Sequence, residues 1–286
     1  MFWFLRKINK MKNTGNYVNS SSIYGLMNSN CKILDNKIGF WKSKSHNKLV
    51  LCEDNINGID LSGTSKISMM YLDKVNYDKE FWNSKGYDMS KITEAEEIFS
   101  YIDKEFFDKL TRTVNKEVYE TLRKYDNWRK SGKMTVVDYS DIIYDDILNM
   151  IKEWSTTSGK KYGFFRHDGI DRAFFKRLKN KEINKGLYDI RIYKADDKVV
   201  GYSVIEHYPS FENHGHVYLI RKAVTDFRNL CLYIDYDTFR EKTKYENNII
   251  INWGCSSSGV KKYKLNKFKL AYIKKLYFYN LKKNQS

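Results

Sequence analysis

The chain of 286 residues holds a single proline, Pro209. That excludes a Pro-rich linker and a collagen-like repeat. Cysteine is also scarce. Cys31, Cys52, Cys231 and Cys255 show no C-x-x-C spacing and no His-rich neighbourhood, so neither zinc nor any other metal is expected. Reduced thiols of a cytoplasmic protein are the default reading. No stretch approaches the ~20 consecutive apolar residues of a membrane span. Met1-Phe2-Trp3-Phe4-Leu5 is followed at once by Arg6 and Lys7, too short a run for a signal-peptide core. The expected location is the cytoplasm. Acid is missing from one segment altogether, since neither Asp nor Glu occurs from Gly259 to the end.

What is present is basic and aromatic. Lys and Arg number 51 against 35 Asp and Glu, a formal charge of +16, yet 42% of residues are hydrophobic and 16% aromatic. That share is too high for a disordered basic tail, and the length suffices for a substantial core. The charge sits at the ends. Nine lysines lie between Lys261 and Lys283, and Arg6, Lys7, Lys10 and Lys12 add four more, leaving only +3 for the rest. Such a field attracts phosphate-rich partners: nucleic acid, CoA-like molecules or anionic lipid.

Local signals give an element order. Lys48 to Glu53 is a short buried-strand candidate. Thr93-Glu94-Ala95-Glu96 has the form of a capping box, and Ala95, Ile98, Phe99, Ile102 and Phe106 follow at helical spacing, which predicts a helix. Lys116 to Lys130 reads as a basic helix stopped by Ser131-Gly132. Met134 to Tyr139 reads as a strand. Ser140 then caps a helix striped with Ile143, Ile147, Ile151 and Trp154, and Asp168 caps another with Ile170, Phe174 and Leu178 on one face. A meander follows: Tyr188 to Tyr193, a turn at Ala195-Asp196-Asp197, Lys198 to Glu206, then Gly215 to Arg221. Phe227 to Lys242 reads as a helix, Asn248 to Trp253 as a buried strand, and the remainder as a short helix and a final aromatic strand. Strands interleaved with helices in this order form an α/β sandwich.

Two segments carry a resemblance. Ile250-Ile251-Asn252-Trp253-Gly254-Cys255-Ser256, followed by Gly259 to Phe268 with its Lys264-Leu265-Asn266-Lys267-Phe268 run, resembles the closing motif of one family. That family is the GNAT-like catalytic domain of phosphatidylglycerol lysyltransferases, with the wider FemABX-type aminoacyltransferases behind it. Leu110 to Asp138 resembles its linker between lobes, and Gly201 to Glu206 its central strand. The resemblance covers roughly residues 110 to 280. It implies a GNAT-like mixed-sheet sandwich in two tandem lobes, a degenerate one at 1–110 and a better-defined acyltransferase lobe at 111–286. Cys255-Ser256-Ser257-Ser258 stands where the family has an apolar residue and a proline, and Lys269-Leu270-Ala271 continues without the expected proline. A flippase half is not expected, so the acceptor is not carried over, and transient membrane-surface contact is an open expectation.

The chemistry expected is acyl or aminoacyl transfer to an amine or hydroxyl by direct attack. Glu206, at the end of an apolar strand, is the candidate base, and His167, between Arg166 and Asp168, a second catalytic candidate. Arg221 and Lys222 end a strand where GNAT-like sites face the donor. Asn252, Gly254, Ser256, Lys264 and Lys267 match the family's donor-binding motif, and Lys264 and Lys267 share a helix face. No cofactor is expected; the donor implied is aminoacyl-tRNA. Acyl-CoA is the alternative, disfavoured because Ala223 to Arg228 offers no glycine for close backbone approach to a pyrophosphate. A catalytically silent nucleic-acid-binding scaffold is the third reading. His207, His214 and His216 gather on one hairpin without a nearby fourth ligand type, which does not suffice for a metal site.

Overall fold

The computed structural model describes residues 31–34, 38–42, 47–51, 66–71, 79–159, 168–208, 215–255 and 258–284. The chain divides into two compact units, Met1–Ser100 with Asn252–Ser286, and Tyr101–Ile251. Residues 252–286, read from sequence as part of a 111–286 lobe, group with the first hundred residues.

In the first unit the strands are β1 (Cys31–Leu34), β2 (Ile38–Lys42), β3 (Asn47–Leu51), β4 (Lys66–Tyr71), β5 (Tyr87–Asp103) and β11 (Leu270–Lys283), ordered β1-β2-β3-β4-β11-β5. Pairing is antiparallel except between β3 and β4. Helix α1 (Lys79–Ser84) buries Trp82. The helix expected from Thr93 to Phe106 is instead most of β5, and helix begins only with α2 (Lys104–Asp108), capped by Asp103 Oδ1, which accepts from the Phe106 amide at 2.7 Å. The physical reason lies far along the chain. In the antiparallel register with β11, Glu96 stands opposite Lys275, so an acid of β5 meets a base of β11. Opposite charges directly across a sheet stabilise a strand that local propensity would make helical.

In the second unit the strands are β6 (Met134–Asp138), β7 (Tyr188–Ala195), β8 (Lys198–Tyr208), β9 (Gly215–Ala223) and the start of β10 (Asn248–Cys255), ordered β10-β9-β8-β7-β6. Helix α3 (Lys116–Lys130) starts where Asn115 Oδ1 accepts from the Val118 amide, and the chain leaves it through Gly132 at φ +76°. Helices α4 (Tyr144–Trp154) and α5 (Asp168–Lys179) follow at their expected places, α4 entered through a 3-10 turn at Asp141–Ile143. The β7–β8 turn uses Asp196 and Asp197 at φ +47° and +62°, a left-handed pair that suits the twist of a tight hairpin. Helix α6 (Leu230–Lys242) starts three residues later than expected, because Phe227 to Asn229 form a turn with the Leu230 amide donating to the Phe227 carbonyl.

Side chains show which helices cover which face. Tyr202 and Lys222 reach α5, whereas Ser203, Tyr218 and Arg221 reach α6, so helices pack on both faces of the sheet. Tyr218 and Arg221 are three apart and would point to opposite faces of a regular strand. Between the pairs Val204↔Ile220 and Ile205↔Tyr218, β9 contains one extra residue, Leu219. This bulge turns Tyr218 onto the face of Arg221, and both then reach Asp235. Helix α6 lies close over β8 at Gly201, where a Cβ would come within 2.6 Å of Ile234 Cδ1 and 3.0 Å of the Lys222 carbonyl oxygen.

Candidate active site

The sequence-predicted residues fall into two groups, one in each unit. In the first unit β10 ends in the turn Asn252-Trp253-Gly254. Asn252 Oδ1 accepts from the Gly254 amide at 2.7 Å, and Gly254 adopts φ +67°, the left-handed backbone that glycine supplies without strain. Asn252 Nδ2 lies 3.4 Å from Glu97 Oε2, and Trp253 Nε1 donates to Ser100 Oγ at 2.9 Å. All four residues are buried. Helix α7 (Ser258–Lys267) brings Lys264 back onto the turn. Its Nζ donates to the Trp253 carbonyl at 2.9 Å and stands 5.4 Å from the Trp253 ring centroid, with the residue only 6% exposed. Phe268 packs on the same ring at 4.9 Å between centroids.

Asn252, Gly254 and Lys264 therefore converge on one turn. Lys264 is buried with its ammonium on a backbone carbonyl, so it holds the turn rather than adding to the surface charge. Lys267 is half-buried on the same helix, while Lys262, Lys269 and Lys275 are exposed. Lys261 pairs with Glu96. Tyr272, stacked on Phe99 at 4.3 Å, has its hydroxyl pushed up to about 12, by burial first and then by Glu97.

In the second unit Glu206 is 1% exposed near the end of β8, opposite Tyr188 on β7 and Val217 on β9. Alternation along β8 puts it on the face of Tyr202, towards α4 and α5. Lys222, on that face and 6% exposed, pairs with Asp171 of α5 at 2.6 Å and lies 4.1 Å from the ring centroid of Trp154. Tyr202 donates to the same Asp171, and burial, then Asp171, raises its hydroxyl pKa well above the ordinary value. Arg221, on the other face, pairs with Asp235 of α6. Arg221 and Lys222 are thus neighbours in sequence on opposite sides of the sheet, each oriented by a buried aspartate. His167 and Ser256 lie outside the described residues.

Sequence reading missed the acids that organise this unit. Asp237, fully buried on α6, accepts from Arg129 at 2.8 Å, Arg191 at 2.7 Å, Arg240 at 3.0 Å and the Tyr193 hydroxyl at 3.0 Å. Burial pushes its pKa up, but Arg191, Arg129 and Arg240 outweigh burial and hold it below the ordinary value. Asp126 of α3 takes both guanidinium nitrogens of Arg240, at 2.8 and 2.9 Å. A signal was available: Asp235 and Asp237 interrupt the apolar run from Leu230 to Phe239, and acids there must find cations. At the far end of β8 and β9, His207 and His216 converge with Lys242, Asp189 and Glu246. Among the described residues no three His, Cys, Asp or Glu side chains form a group that could hold a metal ion. No described helix is long and apolar enough to cross a membrane.

This arrangement, a mixed and mostly antiparallel sheet with helices on both faces of its second unit, is a GNAT-like α/β fold. Solved structures of that fold match nearly the whole chain. L-PGS from Bacillus licheniformis is 14% identical, with 99% of this chain and 92% of that one covered at a TM-score of 0.57. The C-terminal domain of an Agrobacterium fabrum protein named as a lysylphosphatidylglycerol synthetase is 7% identical, covering 100% and 93% at 0.55. A conserved protein of unknown function from Bacteroides thetaiotaomicron VPI-5482 is 13% identical, covering 95% and 92% at 0.61. No protein-family model and no curated protein matches the sequence.

Proposed function

We propose that the protein transfers an acyl or aminoacyl group to an amine or hydroxyl by direct attack, with aminoacyl-tRNA as donor. The observation that carries this reading is the fold likeness to L-PGS over 99% of the chain. The acceptor nitrogen or oxygen attacks the ester carbonyl carbon, the bond to the donor's ribose oxygen breaks, and the acceptor's proton passes through Glu206 to that leaving oxygen. No covalent enzyme intermediate is involved. Glu206 is the base in this reading and His167 assists with proton transfer or acceptor contact. Lys222, on the face of Glu206 and oriented by Asp171, serves as the donor-side cation, while Arg221 is held on the opposite face by Asp235. Asn252, Gly254, Ser256, Lys264 and Lys267 bind the donor, Lys264 by fixing the Asn252–Gly254 turn, while the exposed lysines of α7 and β11 attract its phosphates.

An acyl-CoA donor is the second reading, and one feature weighs against it. After β9 the Val224 amide, where CoA-dependent enzymes of this fold offer amides to a pyrophosphate, already donates to the Val200 carbonyl at 2.9 Å. Thermal denaturation with charged tRNAs and with acyl-CoAs tests the donor. Stabilisation by charged tRNA alone supports the proposal; stabilisation by acyl-CoA alone replaces it with the second reading. Salt-steep binding of any RNA or DNA without donor consumption marks a silent scaffold.

A further inference from the structure

Near the ends of β8 and β9, His207 and His216 form a cross-strand pair, with Nδ1 of one ring 3.1 Å from Nδ1 of the other. His216 is 5% exposed, and its Nε2 lies 2.9 Å from Oε2 of Glu246, just beyond α6. Nε2 of His207 lies 3.2 Å from Oδ1 of Asp189 on β7. Lys242 of α6 pairs with Asp189 and stands 3.3 Å from both ring nitrogens of His207 and 3.7 Å from Glu246. The elements β7, β8, β9 and α6 thus each bring a titratable group to one cluster.

Proton counting fixes what the cluster can do. An Nδ1···Nδ1 hydrogen bond needs one proton between the two nitrogens; none leaves two lone pairs facing, and two set one N–H against another. Glu246 is an acceptor, so His216 carries its proton on Nε2 and, when neutral, accepts at Nδ1 from His207. The Nε2 lone pair of neutral His207 then faces the Asp189 carboxylate with no hydrogen between them, while the Lys242 ammonium stands beside the ring at 3.3 Å from both nitrogens. In that state Asp189, Glu246 and Lys242 leave one net negative charge. A first added proton goes to Nε2 of His207, facing Asp189. Every link from Asp189 to Glu246 then holds a hydrogen, and the cluster is neutral. Of the four ring nitrogens only Nδ1 of His216 is left for a second added proton, which would place two N–H groups 3.1 Å apart and two imidazolium rings beside the Lys242 ammonium. Burial, then Lys242 and His207, pull the His216 pKa below its ordinary value against the opposing pull of Glu246.

We propose that the His207–His216 pair is an acid-release clasp. It fastens the ends of β8 and β9 to the C-terminal end of α6, keeps hold through the first added proton and opens with the second. Because Glu206 directly precedes His207, opening loosens the strand end that carries it. The clasp stands whether or not Glu206 acts as a base.

The test uses the full chain labelled with nitrogen-15, followed by imidazole nitrogen spectra and amide hydrogen exchange between about pH 8 and pH 4. The expected result is two coupled steps more than about one pH unit apart, with His216 protonated on Nε2 throughout. In the second step, amide exchange at Glu206, His207, His216 and Val217 should accelerate about tenfold beyond its intrinsic pH dependence, while Ile192 and Tyr202 keep their protection. His216→Gln, or His207→Gln should the first variant not fold, should abolish the pH-dependent acceleration. Two rings titrating independently near pH 6.5, or strand-end exchange indifferent to the second proton, would overturn the clasp.

Discussion

Lys264 holds Trp253 twice, through the backbone carbonyl at 2.9 Å and over the indole at 5.4 Å from its centroid. Trp253 is the centre of the Asn252–Gly254 turn, so one side chain of α7 fixes the geometry in which β10 ends. The sequence presents Lys264 as one cation among nine. Its burial contrasts with the exposure of Lys262, Lys269 and Lys275.

Lys264→Ala should lower stability by about 1–3 kcal/mol, the cost of leaving a buried carbonyl without its donor. Lys262→Ala, at an exposed position of the same helix, should stay within about 0.5 kcal/mol. Urea denaturation of both variants separates them; equal losses would mean that the Trp253 contact contributes nothing particular.

Gly201→Ala should destabilise by about 1–3 kcal/mol, since the new methyl meets Ile234 Cδ1 at 2.6 Å and the Lys222 carbonyl oxygen at 3.0 Å. Gly201→Ala combined with Ile234→Val, which removes the nearer atom, should recover part of the loss. Thermal denaturation of the single and double variants checks this.

Asp237→Asn should cost about 3–5 kcal/mol, because three arginines around one buried site lose their counter-charge. The sign of the pH effect follows from the lowered native pKa. An unfolded aspartate takes up its proton near pH ~3.9, above the native value. As pH falls through that window the unfolded chain binds more protons, and this contribution to stability is lost. The wild-type urea midpoint should therefore drop as pH falls from about 5 towards 3, and the variant's should drop less steeply.

Legibility tracks the range of the interactions. Helix α3 was readable because Gly132, which ends it, lies next to it in sequence, and the β7–β8 turn because Asp196 and Asp197 supply the left-handed backbone themselves. The Asn252–Gly254 turn was readable for the same reason. Strand β5 was not. Glu96 sits in an apparent helix start until Lys275, nearly 180 residues later, is seen across from it. Arg221 and Lys222 were legible as cations, but their pairing with Asp235 and Asp171 depends on two different helices, one following β9 and one fifty residues upstream. The Asp237 network joins α3, β7 and α6, so no window of sequence contains it.

The proposed transfer from a charged tRNA with Glu206 as base can be followed directly. The direct measurement is release of labelled amino acid from aminoacyl-tRNA into an acid-stable amide or ester product, with wild-type protein and Glu206→Gln compared at matched thermal stability. Wild type should yield product, and the variant should lose about a hundredfold or more in rate. Equal turnover by both proteins, or product from acyl-CoA and none from charged tRNA, would contradict the proposal.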